Sequence, residues 1–164
     1  MFSFTEHVDV LTTPEAAFLA VADLMQQGHY LPSTVKQIKE IEPRPHSPVE
    51  QFLPGQKIAF EWNGKHYELV TAEVSNWSGA EARILQRPVH PIYGEKFEWR
   101  LAELTPGMIR IELTFSANYS GLDKLTKGRE MRKFWREALE RLKTYLQEHF
   151  SFAKDDTFAP KVKK

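Results

Sequence analysis

From Asp123 to Phe150, apolar side chains return at three- and four-residue steps. Leu125, Met131, Phe134, Trp135, Ala138, Leu142, Tyr145 and Leu146 share one face, the period of an amphipathic helix. No other segment carries so long a helical pattern, and nearly everything between Val35 and Gly121 reads as strand. A helix of roughly 40 Å, at about 1.5 Å per residue, then lacks a helical partner and must lay its aromatic stripe on a sheet. A sheet that wraps a helix is curved, and the curvature is expected to leave space between the two.

The remaining elements follow from local signals. Phe4 to Val10 alternates loosely as a first strand. Thr13-Pro14-Glu15-Ala16 starts a helix, with a hydroxyl for the cap, proline at the first position and a carboxylate in the first turn. This helix should run to about Met25, turn Phe18, Val21, Leu24 and Met25 inward, and end at Gln27-Gly28. A break at His29-Tyr30-Leu31-Pro32 precedes a possible short second helical turn and a strand near Val35 to Ile41. Pro43 to Gly55 carries four prolines and is expected to be an exposed irregular connection.

Two hairpins can be given a register. Asn63-Gly64 calls for a two-residue type I′ loop, which sets Phe60 opposite Tyr67, Ile58 opposite Leu69 and, on the other face, Glu61 opposite His66 as a possible ion pair. At Thr105-Pro106-Gly107 a three-residue loop with Gly107 left-handed pairs Leu101 with Ile111, Trp99 with Leu113 and Phe97 with Phe115, and sets Arg100 against Glu112. Val70 to Trp77 and Ala80 to Gln86 supply further strands joined at Ser78-Gly79, and Pro88-Val89-His90-Pro91 interrupts the ladder as a rim loop. The predicted class is α+β: a curved antiparallel sheet of six or seven strands around a long C-terminal helix, one domain over residues 1–150, then a flexible polar tail over 151–164. Within that tail Phe152 and Phe158 are the side chains that could dock and order it.

Composition excludes more than it selects. Lysine plus arginine and aspartate plus glutamate both total 22 and the pI is about 7.0, so the global basic field behind non-specific nucleic-acid binding is missing. Cysteine is absent, which removes disulfides, thiolate nucleophiles and zinc–thiolate sites. The start of the chain lacks a signal-peptide layout, and a cytoplasmic location without integral membrane association is expected. On that reading Asn76-Trp77-Ser78 and Asn118-Tyr119-Ser120 are chance sequons. The charges are nevertheless uneven: Glu6, Asp9, Glu15 and Asp23 precede the first cation at Lys36, whereas Lys124, Lys127, Arg129, Arg132, Lys133 and Arg136 crowd the start of the long helix. Their simplest role is a solvated face paired with the acidic segment; the alternative is a surface for an anionic partner.

The order of elements, with Val8-Asp9-Val10-Leu11-Thr12-Thr13-Pro14-Glu15-Ala16-Ala17-Phe18 in front, Phe52-Leu53-Pro54-Gly55-Gln56 before the central strands and Leu139-Glu140-Arg141-Leu142-Lys143-Thr144-Tyr145-Leu146 closing the last helix, resembles the START-like superfamily. This is the helix-grip, birch-pollen-allergen-like fold, and the resemblance is to its bacterial polyketide cyclase/dehydrase-like (SRPBCC) group, over roughly Phe4 to Phe150. It implies an apolar ligand held between sheet and helix, in proteins that range from lipid carriers to aromatic cyclases and partner-binding modules. The glycine-rich loop of the pollen allergens is missing, no Rieske-type cluster precedes the domain, and the tryptophan usual after the first helix is replaced around Tyr30.

No catalytic motif is present: no Gly-x-Ser-x-Gly elbow, no phosphate-binding glycine loop, no His-Glu-x-x-His, and six histidines without chelating spacing. No metal or cofactor is expected. Only His29 and His90 fall near an expected pocket mouth; Glu68, with Glu73 a candidate acid/base pair, is assigned to the solvated face. The expected ligand-binding set is Tyr30, Phe60, Trp62, Tyr67, Phe97, Trp99, Phe115, Met131 and Trp135, with Trp99 and Trp135 flanking a cavity. The expected function is binding, as carrier or sensor, of a small hydrophobic molecule such as a lipid, isoprenoid or aromatic compound. The alternatives are a cyclase or dehydratase in which Tyr or His moves protons, and a protein-interaction module. The oligomeric state is left open.

Overall fold

In the computed structural model residues 1–43 and 54–150 are described. Most of the expected proline-rich connection, 44–53, and the expected tail, 151–164, lie outside the described residues. The elements are β1 (Phe2–Leu11), α1 (Pro14–Ala22), a 3-10 helix (Leu24–His29), β2 (Val35–Glu42), β3 (Lys57–Trp62), β4 (Lys65–Ser78), β5 (Glu81–Pro88), β6 (Lys96–Thr105), β7 (Met108–Ala117) and α2 (Leu122–His149). The strands form one antiparallel sheet in the order β1-β7-β6-β5-β4-β3-β2, and α2 crosses its inner face. This is the predicted α+β architecture.

Both hairpin registers are as expected, with Phe60 opposite Tyr67, Trp99 opposite Leu113 and Phe97 opposite Phe115. Asn63 (φ 53°) and Gly64 (φ 74°) are both left-handed, as a type I′ turn requires. The second turn differs in detail. Thr105 pairs with Met108 around a two-residue Pro106-Gly107 turn, and a bulge between Glu103 and Thr105 restores the predicted pairing. Gly107 at φ 84° behind a proline is the arrangement of a type II turn, which a three-residue loop with proline at its centre could not supply.

Three further expectations are corrected. The first helix stops at Ala22, where Asp23 accepts from Met25 N–H at 3.0 Å and starts the 3-10 helix. The two strand segments before Ser78 are one strand, β4, whose bulges after Thr71 and Ser75 bend it. That bend carries Trp77 to α1, where its indole N–H donates to Pro14 O at 3.0 Å. The long helix is also not without a helical neighbour: Arg141 donates to Tyr30 O at 3.0 Å, and Tyr145 stacks on His29 of the 3-10 helix with centroids 4.7 Å apart.

Two buried glutamines fasten the helical segment onto the sheet. Gln86 donates to Val21 O at 2.8 Å and accepts from the Trp99 indole at 2.9 Å; Gln56 accepts from Leu24 N–H at 2.7 Å and donates to Asp23 and Glu40, each at 2.8 Å. On the opposite flank Glu6 sits on the inner face of β1, in the alternation between Phe4 and Val8. Arg132 and Arg136 of α2 reach it at 2.7 and 3.0 Å. The expected pairing of basic helix with acidic segment is thus made by these two arginines, and the Arg136 hydrogen bond, ahead of Arg132, holds the Glu6 carboxyl below the usual carboxylate range. On the outer face, His66 pairs with Glu68 at 3.0 Å rather than with Glu61 opposite, and Arg100 turns to Glu81 rather than to Glu112.

The close approach of α2 to β1 depends on Gly128. A Cβ there would lie 2.5 Å from Phe2 Cε1 and 2.7 Å from Cζ, and that ring is held by Phe4, Phe115 and Tyr119 at 6.0, 6.4 and 5.8 Å. Alanine gains about 1 kcal/mol of helix propensity over glycine, whereas overpacking costs about 1–3 kcal/mol. Gly128→Ala is therefore expected to lower stability by about 1 kcal/mol net, and Phe2→Leu in the same chain to recover it. Urea unfolding of the three proteins checks this; a Gly128→Ala protein more stable than the parent would show that Phe2 yields freely.

Candidate functional site

The inner face of the sheet and the first half of α2 bring together most of the predicted ligand-binding residues, in two groups. Phe97, Trp99, Phe115 and Trp135 are buried and touch: Trp135 meets Phe97 at 5.4 Å and Trp99 edge-on at 5.8 Å, and Phe97 meets Phe115 at 5.1 Å. The two tryptophans therefore lie against each other and do not flank a gap, because β6 and α2 approach within the reach of their rings. Phe60, Trp62, Tyr67 and Met131 form the second group, half-buried at the edge of the first. Phe134, which the site prediction omitted, joins the two: it meets Trp62 at 4.9 Å and Trp135 at 5.3 Å.

Tyr30 belongs to neither group. It is 0% exposed, its hydroxyl donates to Ala20 O at 3.0 Å, and burial pushes its phenol far up. The 3-10 helix turns it under α1, so it does not stand at a pocket mouth. His29 is exposed and engaged with Tyr145, and His90 is exposed in the β5–β6 loop.

Polar atoms within the aromatic set are unevenly satisfied. The Trp99 N–H has Gln86, but the Trp135 Nε1 is buried and, among the described residues, has no hydrogen-bond partner. Thr71 Oγ1 is likewise buried and unpartnered, on the register row Thr71–Gln86–Phe97 that leads to the Trp135 ring. A buried donor without an acceptor costs about 1–3 kcal/mol. At the open margin burial, then the Glu130 charge, raises the Tyr67 phenol, and burial, with the Glu95 charge second, pushes Tyr119 up to about 12. Both phenols stay protonated at neutral pH. Lys127 donates to Tyr93 Oη at 2.7 Å and stands 4.4 Å from that ring's centroid.

A separate concavity of about 410 Å³ lies on the outer face of the sheet, among Glu73, Arg83, Glu98, Arg100 and Glu112. Its arginines are both held by Glu81. It is a charged trough, unsuited to an apolar ligand. Among the described residues no group of three or more His, Cys, Asp or Glu could hold a metal ion, and no helix is long and apolar enough to cross a membrane.

No protein-family model and no curated protein matches the sequence. Solved structures do. A hypothetical protein of Helicobacter pylori is similar at a TM-score of 0.64 and 16% identity, over 88% of this chain and 87% of that one. The Aha1 dimer of Colwellia psychrerythraea gives 0.62 and 14%, over 89% and 96%. A START superfamily protein of Mycobacterium smegmatis gives 0.57 and 16%, over 89% and 99%. At these identities the likeness speaks for the fold, and with the strand order and the long closing helix it shows that this chain has the START-like helix-grip fold.

Proposed function

We propose that the chain binds one small, largely apolar molecule, of the lipid, isoprenoid or aromatic kind, beneath the first half of α2. The molecule passes Phe60, Trp62, Tyr67, Met131 and Phe134 and presents one acceptor oxygen to the Trp135 N–H. The observation that carries this reading is the Trp135 Nε1, buried and without a partner among the described residues. Native interiors seldom leave such a donor alone, and it stands next to a margin of half-buried aromatic rings open to solvent on one side. Most of the interface would be apolar, with a single polar group fixing orientation, which is the usual make-up of a small-molecule site. Room comes from the margin: Met131 is unbranched and adaptable, and Phe134 is half-buried.

Tryptophan fluorescence titrated with palmitate, farnesol and anilinonaphthalene sulfonate tests the reading. At least one is expected to give a saturable change at micromolar concentration, with affinity falling about tenfold in Trp135→Phe, the size of one lost hydrogen bond. A hydrocarbon of matched length without oxygen should bind Trp135→Phe and the parent alike. No response to any of the three, or equal affinity of parent and Trp135→Phe for the oxygenated ligands, would overturn it.

A further inference from the structure

One end of the molecule combines exposed apolar side chains with exposed cations, of which Lys124 and Arg129 have no ion pair among the described residues. The sheet order brings it about: β1 begins where β7 ends (Phe2 opposite Ala117), and β6 begins beside them (Lys96 opposite Ser116). Met1, the β5–β6 loop and the start of α2 therefore share this end. The loop is tied to the helix by the Lys127–Tyr93 bond and by Asn118 N–H donating to Tyr93 O at 2.7 Å.

The four most exposed large apolar side chains among the described residues, Ile92 (83%), Met1 (79%), Leu122 (77%) and Leu125 (59%), all lie here; Leu11, Leu19, Ile41 and Leu104 elsewhere reach at most 46%. Isolated exposed leucines are ordinary, whereas a gathering at one end marks an interaction surface. Among the described residues Lys124 and Arg129 stand exposed beside them without an ion pair, and Lys127, bonded to the neutral Tyr93 hydroxyl, has its carboxylate partner Asp123 at 3.9 Å. Of the acids at this end, Glu95 is turned back to accept Tyr93 N–H at 2.8 Å, leaving Asp123 and Glu130 against the cations. The N-terminus of α2, capped by Gly121 without a side-chain bond, adds its positive dipole end to the same surface.

We propose that this end docks on an anionic lipid bilayer, with Ile92, Leu122 and Leu125 at the depth of the headgroups and Lys124, Lys127 and Arg129 over the lipid phosphates. Apolar tips ringed by basic side chains are what interfacial binding requires: the tips leave water and the cations meet the negative surface potential. A protein partner would require a larger and flatter apolar area than three separated tips provide. The inference is independent of the ligand reading, because docking is measured on protein carrying no ligand.

Co-sedimentation of the full chain with phosphatidylcholine vesicles, with and without phosphatidylglycerol, is the test. Binding is expected only with phosphatidylglycerol and should weaken as salt rises. Ile92→Asp with Leu122→Asp should weaken it by about tenfold or more, and Lys124→Gln and Arg129→Gln by about fivefold each. These positions are solvent-exposed, so unchanged melting temperatures should accompany the loss. The basic end of the chain at Lys161, Lys163 and Lys164 is the same in every protein compared, and Leu11→Asp with Leu104→Asp, at the opposite end, should leave binding intact. Absence of binding, equal binding to neutral vesicles, or undiminished binding by the Ile92 and Leu122 variant would each overturn the proposal.

Discussion

Replacing Gln56 by alanine is expected to lower stability by about 4 kcal/mol, among the largest effects of any single polar substitution here. The side chain is 1% exposed and makes three hydrogen bonds at 2.7–2.8 Å, to the Leu24 N–H, the Asp23 carboxylate and the Glu40 carboxylate. Alanine leaves the Leu24 N–H buried without an acceptor and removes a donor from Asp23, itself 6% exposed. A stranded neutral donor costs about 1–3 kcal/mol and a bond to a charged group is worth about 1.5–3 kcal/mol. Gln56→Glu sharpens the test. It places a third carboxylate between two others, and mutual repulsion raises its folded pKa above the unfolded value of about 4.3. Its protonated form keeps one donor, so relative to Gln56→Ala the Glu protein should be most stable below about pH 4.3 and lose that advantage as pH rises through the raised folded value. Urea midpoints of both variants across pH decide it. A loss under 1 kcal/mol for Gln56→Ala, or no pH trend for Gln56→Glu, would mean that water replaces the glutamine easily.

How far such sites can be read from sequence depends on the range of the interaction. The hairpins were legible with register because Asn63-Gly64 and Pro106-Gly107 are local turn signals and the alternation around them admits one pairing. The closing helix was legible because its period persists over about six turns, from Leu125 to Leu146. Gln86 carries a visible signal: it continues the inward alternation Ala82, Ile84 of β5, where a polar residue implies a buried partner. Gln56 had none, since it precedes its strand and its partners are 16 to 33 residues away. Glu6 also follows the inward alternation of β1, and the charge imbalance set the basic start of the helix against the acidic segment without singling out Arg132 and Arg136. The site was legible as a set of inward aromatics but not as a shape. Whether Trp99 and Trp135 touch depends on the distance between sheet and helix, which no periodicity encodes. Tyr30 is a related case: the sequence offers only a break at His29-Tyr30-Leu31-Pro32, and the 3-10 helix that runs up to it and buries its ring leaves no periodic signal in so short a stretch.

A pair of substitutions at Trp135 separates the two things this side chain does. Trp135→Ala removes a ring that is 4% exposed and in contact with Phe97, Trp99 and Phe134, and large-to-small changes of this kind cost about 3–5 kcal/mol. Trp135→Phe keeps most of the ring and deletes the unpartnered N–H. The lost packing and the relief of a stranded donor then oppose each other, and the net change is expected within about 1 kcal/mol of the parent. Urea unfolding without ligand should therefore show a large loss for alanine and almost none for phenylalanine. A loss near 3 kcal/mol for phenylalanine as well would mean that the N–H is satisfied in solution, for example by an ordered water, and would remove the ground for giving it to a ligand. With ligand present the order should change. Saturating ligand stabilises a protein in proportion to the logarithm of its concentration over the dissociation constant, so the parent should gain more than Trp135→Phe by about 1 kcal/mol, the worth of the single hydrogen bond that distinguishes them.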